Sequence, residues 1–156
     1  MIIKIRKIFI VFAVLLFAFA KAQTKNNIIK TTFILKINGI SKKFEFEEKG
    51  KFLDKFSCSW KTSKNKYTTT TTQVFELNNG KLKTASESIV YENDNDNKDI
   101  GGWGANYKFQ NGKLVDFSSF GHGKSEDEDW NPEIEVLTNY KTILNQIKHF
   151  RNRIKK

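Results

Sequence analysis

Between Ile28 and Phe120 apolar and polar residues alternate with the period of two that marks a strand with one buried face. Ile29, Thr31, Phe33, Leu35 and Ile37 fall on one side of the first such run, against Lys30, Thr32 and Lys36. Phe44 and Phe46 continue the pattern against Lys43, Glu45 and Glu47, and Phe56, Cys58 and Trp60 against Lys55, Ser57 and Ser59. The run Thr68 to Thr72 is β-branched throughout and suits a strand with one side in water. Asn38-Gly39, Asn79-Gly80 and Asn111-Gly112 punctuate the runs. Asn-Gly is the strongest two-residue hairpin signal, because both residues tolerate positive φ, so neighbouring strands are expected to be antiparallel.

After Trp130 the period changes. Asn131 is a good N-cap, Pro132 fits the first helical position, and Glu133 and Glu135 sit where the helix dipole favours acids. Val136, Leu137, Tyr140, Ile143, Leu144, Ile147, Phe150 and Ile154 form one stripe at 3.6 residues per turn, so a long helix must lay that stripe on something. The expected fold is mainly β with one C-terminal helix (α+β). It is a curved antiparallel meander of six to seven strands, about 28–120, packed against or around a long amphipathic helix, about 132–154.

The first residues read differently. Lys4, Arg6 and Lys7 precede an unbroken apolar run from Ile8 to Ala20, and small residues follow at Ala20 and Ala22. About 13 apolar residues match a signal-peptide core and fall short of the ~20 that span a bilayer. Residues 1–22 are therefore read as a cleavable signal peptide and 23–156 as a single globular domain. The expected location is exported, periplasmic or secreted, with no transmembrane segment after cleavage.

Charge alters this picture only once it is divided along the chain. The formal net charge is +10, but Lys4, Arg6, Lys7 and Lys21 lie in the signal segment. The remainder is basic from 23 to 91, acidic from 92 to 135, and basic without a single acid from 136 to 156. Such an acidic middle opposes a continuous basic groove, and only Arg151 and Arg153 offer bidentate contacts beyond residue 22, so nucleic acid is not expected as a partner. Cys58 is the sole cysteine, which rules out an intramolecular disulfide, and its alternation with Phe56 and Trp60 marks it as a small buried apolar residue.

Candidate chemistry is sparse. One Cys and two His cannot build a Cys₂His₂ or Cys₄ zinc site. Gly121-His122-Gly123-Lys124-Ser125 lacks the first glycine of a phosphate loop and runs into Glu126, Asp127, Glu128 and Asp129, which would repel phosphate. The same loop, ending at Trp130, offers His122 as a catalytic candidate with Asp127 or Asp129 to orient it. Asp94, Asp96 and Asp99 form a second acidic loop and a weak calcium candidate. The EF-hand spacing fails there, since Lys98 falls where an oxygen ligand belongs and Asp99 where glycine is needed.

No cofactor is implied. The leading expectation is an exported, non-catalytic binding protein acting by protein–protein contact, as a small inhibitor or immunity-type protein does. Binding residues are expected in the two acidic loops: Asp94, Asp96 and Asp99, and His122, Glu126, Asp127, Glu128, Asp129 and Trp130. Two alternatives stand beside it. One is a carrier of a small apolar ligand, with a pocket between sheet and helix near Phe33, Trp60, Tyr107, Leu144 and Ile147. The other is a small secreted hydrolase centred on His122.

Overall fold

A computed structural model describes residues 28–64, 67–93, 98–121 and 131–154, with side chains omitted for 98–100. Seven strands follow one another: β1 (Ile28–Ile37), β2 (Ile40–Lys49), β3 (Phe52–Lys64), β4 (Tyr67–Asn78), β5 (Lys81–Asn93), β6 (Lys98–Gln110) and β7 (Lys113–Gly121). One helix, α1 (Pro132–Ile154), completes the chain as described. Each strand pairs only with its neighbours in sequence, always antiparallel, and the sheet stays open.

The turns explain the simple order. Asn38 and Gly39 have φ of 50° and 81°, Asn79 and Gly80 51° and 75°, Asn111 and Gly112 53° and 78°. Positive φ at both central residues is the type I′ geometry whose twist matches that of the strands it joins. These three reversals therefore fix the register of β1–β2, β4–β5 and β6–β7 locally.

Register then assembles rows of side chains across strands. Phe46, Phe56, Phe75, Ala85, Tyr107 and Phe117 stand opposite one another in succession. Phe33, Phe44, Cys58, Gln73, Glu87 and Ala105 form the next row. Register shifts at Glu47/Glu48, Glu76/Leu77, Tyr91/Glu92 and Lys108/Phe109 mark bulges, each of which bends its strand. The β1–β2 ladder has no such break over all ten residues of each strand.

Helix α1 crosses the strands, running along these rows rather than along any one strand. Near its start the backbone N–H of Leu114, on β7, donates to Glu133 Oε1 at 3.1 Å. In its middle the Tyr140 ring lies 5.7 Å from both Phe56 and Phe75, on β3 and β4. Near its end Phe150 stacks on Phe33 of β1 with ring centroids 4.0 Å apart. A helix of 23 residues is about 34 Å long. Seven strands at ~4.8 Å spacing are about 29 Å wide, so the helix spans the whole sheet and runs past it.

Asn131 caps this helix as its sequence position implies. Its Oδ1 accepts from the Ile134 N–H at 3.1 Å, and its carbonyl accepts the first helical bond, from Glu135, at 3.1 Å. Val136, Ile143 and Ile147 are buried, and Leu137, Tyr140, Leu144 and Phe150 pack against the same core. Ile154 departs from the expected stripe, being 58 % exposed. It lies one turn beyond Phe150, which already rests on the edge strand, so no strand remains beneath it.

Candidate functional site

Two places on the sheet carry polar or reactive groups that the core does not explain. The first is inside. On the helix-covered face Gln73 and Glu87 are buried, and Gln73 Nε2 donates to Glu87 Oε1 at 3.2 Å. Tyr107 stands beside them, its hydroxyl buried without a hydrogen-bond partner among the described residues. Burial holds the Tyr107 phenol well above its ordinary range, and the charges of Glu87 and Glu135 push it the same way. Cys58, opposite Gln73 and Phe44, is 1 % exposed. Burial pushes its thiol up to about 11, with Lys42 opposing. Lys42 itself sits 4.0 Å from the centroid of the Trp60 ring, a cation–π contact at the margin of the core.

A thiol held in that state is no nucleophile. At pH 8 its thiolate is about a hundredfold scarcer than that of a free cysteine, and the sulfur is closed to solvent. Native protein is therefore expected to react with a thiol reagent at least about a hundredfold more slowly than urea-unfolded protein. Rapid labelling of Cys58 in the native state would contradict this burial. The same shift has a pH consequence for folding. The folded pKa lies above the unfolded one, so the stabilisation is complete below about pH 9 and is lost as pH rises towards 11. Tyr107 and Tyr140, also raised by burial, extend the loss in the same direction. A fall in melting temperature from about pH 9 upward, lessened in Cys58→Ala, is the expected result.

The second place is at the sheet's β1 margin. Leu35, Lys36 and Ile37 of β1 face Gln146, His149, Phe150 and Arg153 of α1 across a recess of about 240 Å³. On the other face Ile34, 67 % exposed, borders a more open recess of about 660 Å³ that runs inward over Lys43, Ser59 and Thr70. The acids of β2 are each held by a cation. Glu45 pairs with Lys43 at 2.7 Å, Glu47 with Lys30 at 2.8 Å, and Glu48 with Arg151. Arg153 lies at the smaller recess, whereas the Lys36 side chain alternates to the open face with Ile34.

On the open face Glu76 is satisfied within the sheet, while Thr70 Oγ1 is buried with no partner among the described residues. Lys55 Nζ donates to Glu76 at 3.2 Å and the Thr84 hydroxyl donates to the same carboxylate at 3.0 Å, which holds Glu76 below the usual carboxylate range. Phe120, 62 % exposed, lies over Gly104, where a Cβ would stand only 2.2 Å from its ring. Glycine there lets the ring rest on the backbone of the neighbouring strand.

Most residues expected to bind fall outside the described ones. Asp94, Asp96, His122, Glu126, Asp127, Glu128, Asp129 and Trp130 are all in that group. Asp99, expected in the second acidic loop, lies instead in β6, opposite Glu92, because β5 and β6 stay paired beyond the register shift at Tyr91/Glu92; its side chain is outside the described residues. Of the five residues named for an apolar pocket, Phe33, Tyr107 and Ile147 are buried in one continuous core, and Trp60 and Leu144 pack against it. His149 is exposed at the β1 recess, on the polar side of the helix as its spacing implies. Among the described residues no group of three or more His, Cys, Asp or Glu is placed to hold a metal ion. No described helix is long and apolar enough to cross a membrane.

Sequence reasoning passed over the inner Gln73–Glu87 pair and the Glu48–Arg151 bridge. A signal existed for the first: Glu87 sits between Ala85 and Ile89 at an inward position of the alternation. None existed for the second, whose partners are 103 residues apart. Comparison with protein-family models, curated proteins and solved structures finds no match for this chain.

Proposed function

We propose that this chain is a non-catalytic binding protein that works outside the cytoplasm through protein–protein contact. One observation carries the reading. The helix fills its face of the sheet with stacked aromatic and aliphatic side chains, Phe150 on Phe33 and Tyr140 on Phe56 and Phe75. What the described residues offer to a ligand is therefore surface: an open sheet face and sheet margins, the kind of area over which proteins meet. The apolar run Ile8–Ala20 supports export.

Purified protein is expected to form a saturable complex with one protein of the extracellular or periplasmic fraction, read by calorimetry and sedimentation after affinity capture. It is expected not to take up an environment-sensitive apolar dye. Stoichiometric dye uptake, displaced by a fatty acid, would replace this reading with the carrier.

A further inference from the structure

We infer that β1 is a docking edge, built to receive an extended, acidic strand of a partner protein as an eighth strand of the sheet. The inference rests on the protein-contact reading and names the surface and the chemistry. Four observations on different elements converge there.

Backbone comes first. In a two-residue type I′ hairpin the flanking pair, Ile37 and Ile40, exchanges hydrogen bonds, and bonded and non-bonded pairs alternate from that point. Leu35, Phe33, Thr31 and Ile29 thus turn their N–H and C=O groups inward to β2. Lys36, Ile34, Thr32 and Lys30 turn theirs outward, where no strand lies among the described residues. Edge strands are usually shortened, bulged or covered. This one is ten residues long and pairs without a register shift, and Ile28, Ile29 and Ile34 stand 49 %, 58 % and 67 % exposed on it.

Overhang of the helix is the second observation. It outruns the sheet by about one turn, and Ile154 at its tip is apolar, on the covered-face stripe, and in solvent. A strand added ~4.8 Å outside β1 would lie beneath it. Third, the recess between β1 and α1 opens at the same margin, bounded by Leu35, Ile37 and Phe150. Side chains of an added strand that point to the covered face would enter it, and such pockets give strand addition its specificity.

Charge, the fourth, selects the partner. Lys36 points to the open face beside Ile34 and has no ion pair among the described residues, while the acids of β2 are occupied by Lys43, Lys30 and Arg151. An incoming strand that alternates apolar residues with Glu or Asp would fill the recess with its apolar side and, on the open face, set its acids against Lys36. A second copy of β1 would bring Lys30 and Lys36 against their like.

The probe is a fluorescent synthetic peptide of β1's length alternating Val with Glu, beside one alternating Val with Lys. The acidic peptide is expected to bind at least about tenfold more tightly. On binding, the amides of Lys30, Thr32, Ile34 and Lys36 should gain protection from hydrogen exchange, while those of Phe33 and Leu35 are protected already. Thr32→Pro removes one outward donor and leaves the bonds to β2 intact, since proline is tolerated where an edge N–H faces solvent. It should keep the wild-type circular dichroism and melting transition and lose about tenfold or more in peptide affinity. Lys36→Glu, which leaves the edge backbone as it is, should abolish the preference for the acidic peptide.

Undiminished binding in Thr32→Pro would overturn the inference, as would binding without new protection at the four outward amides. So would a wild-type dimer in sedimentation that Thr32→Pro splits, which would make a second copy the occupant. If Thr32→Pro still captures the natural partner as well as wild type does, the docking edge falls while the protein-contact reading stands. If peptide binds as described and dye uptake also saturates, the edge survives and that reading falls.

Discussion

Ile147→Ala is expected to cost about 3–4 kcal/mol of folding stability, the range for a fully buried large aliphatic side chain cut to a methyl. Ile147 is 0 % exposed and belongs to the same core as Phe33, Phe44 and Phe56. It lies between Ile143 and Phe150 on the stripe, so the cavity left behind would sit under the helix where neither layer can collapse onto the other. Ile154→Ala supplies the internal control: same helix, same chemistry, but a residue 58 % exposed, for which less than about 0.5 kcal/mol is expected. Urea unfolding followed by circular dichroism at equal m-values measures both. Equal, small effects would mean that the helix does not hold the sheet together.

Glu48→Ala is expected to cost about 2–3 kcal/mol, the second largest effect. Its carboxylate accepts from Arg151 across the sheet–helix boundary, and the two side chains are only 15 % and 18 % exposed. Removing the acid strands a guanidinium whose Nε already has no partner among the described residues. The cost is therefore mostly that of an uncompensated charge rather than the worth of the pair. The double replacement Glu48→Leu with Arg151→Met should recover most of the loss, because both charges leave together. Additive losses in this cycle would show that the two residues do not act as a unit. The surface pair of Lys43 and Glu45, with both side chains about half exposed, should by contrast be worth under about 1 kcal/mol.

Strand addition at β1 and the energetics of α1 share a cause. A helix as long as this one exceeds the width of seven strands, and Ile154 records the mismatch. Ile154→Ala would therefore separate two roles that burial normally joins: little change in stability, a measurable loss in peptide affinity.

The chain by itself determined its elements, their pairing and the helix's inner face. Alternation of period two and paired positive-φ turns at Asn-Gly are local facts. A meander of neighbours needs no long-range information beyond them, and Asn131 with Pro132 set the helix start just as locally. A meander of six to seven strands, the hairpins at 38–39, 79–80 and 111–112, and a helix over about 132–154 were accordingly legible. The acidic loop residues were legible only as composition, since loop geometry follows from contacts that no period encodes.

Tertiary structure alone decided the rest. Where the helix crosses the strands depends on how Tyr140 and Phe150 fit between aromatic rows drawn from β1, β3 and β4. That crossing buried Glu48 with Arg151, closed Cys58 from water, and left Ile154 exposed and the β1 edge without a paired strand among the described residues. Each is a relation between residues far apart in the chain, set by the width of a sheet against the length of a helix, and neither dimension is written at any one position.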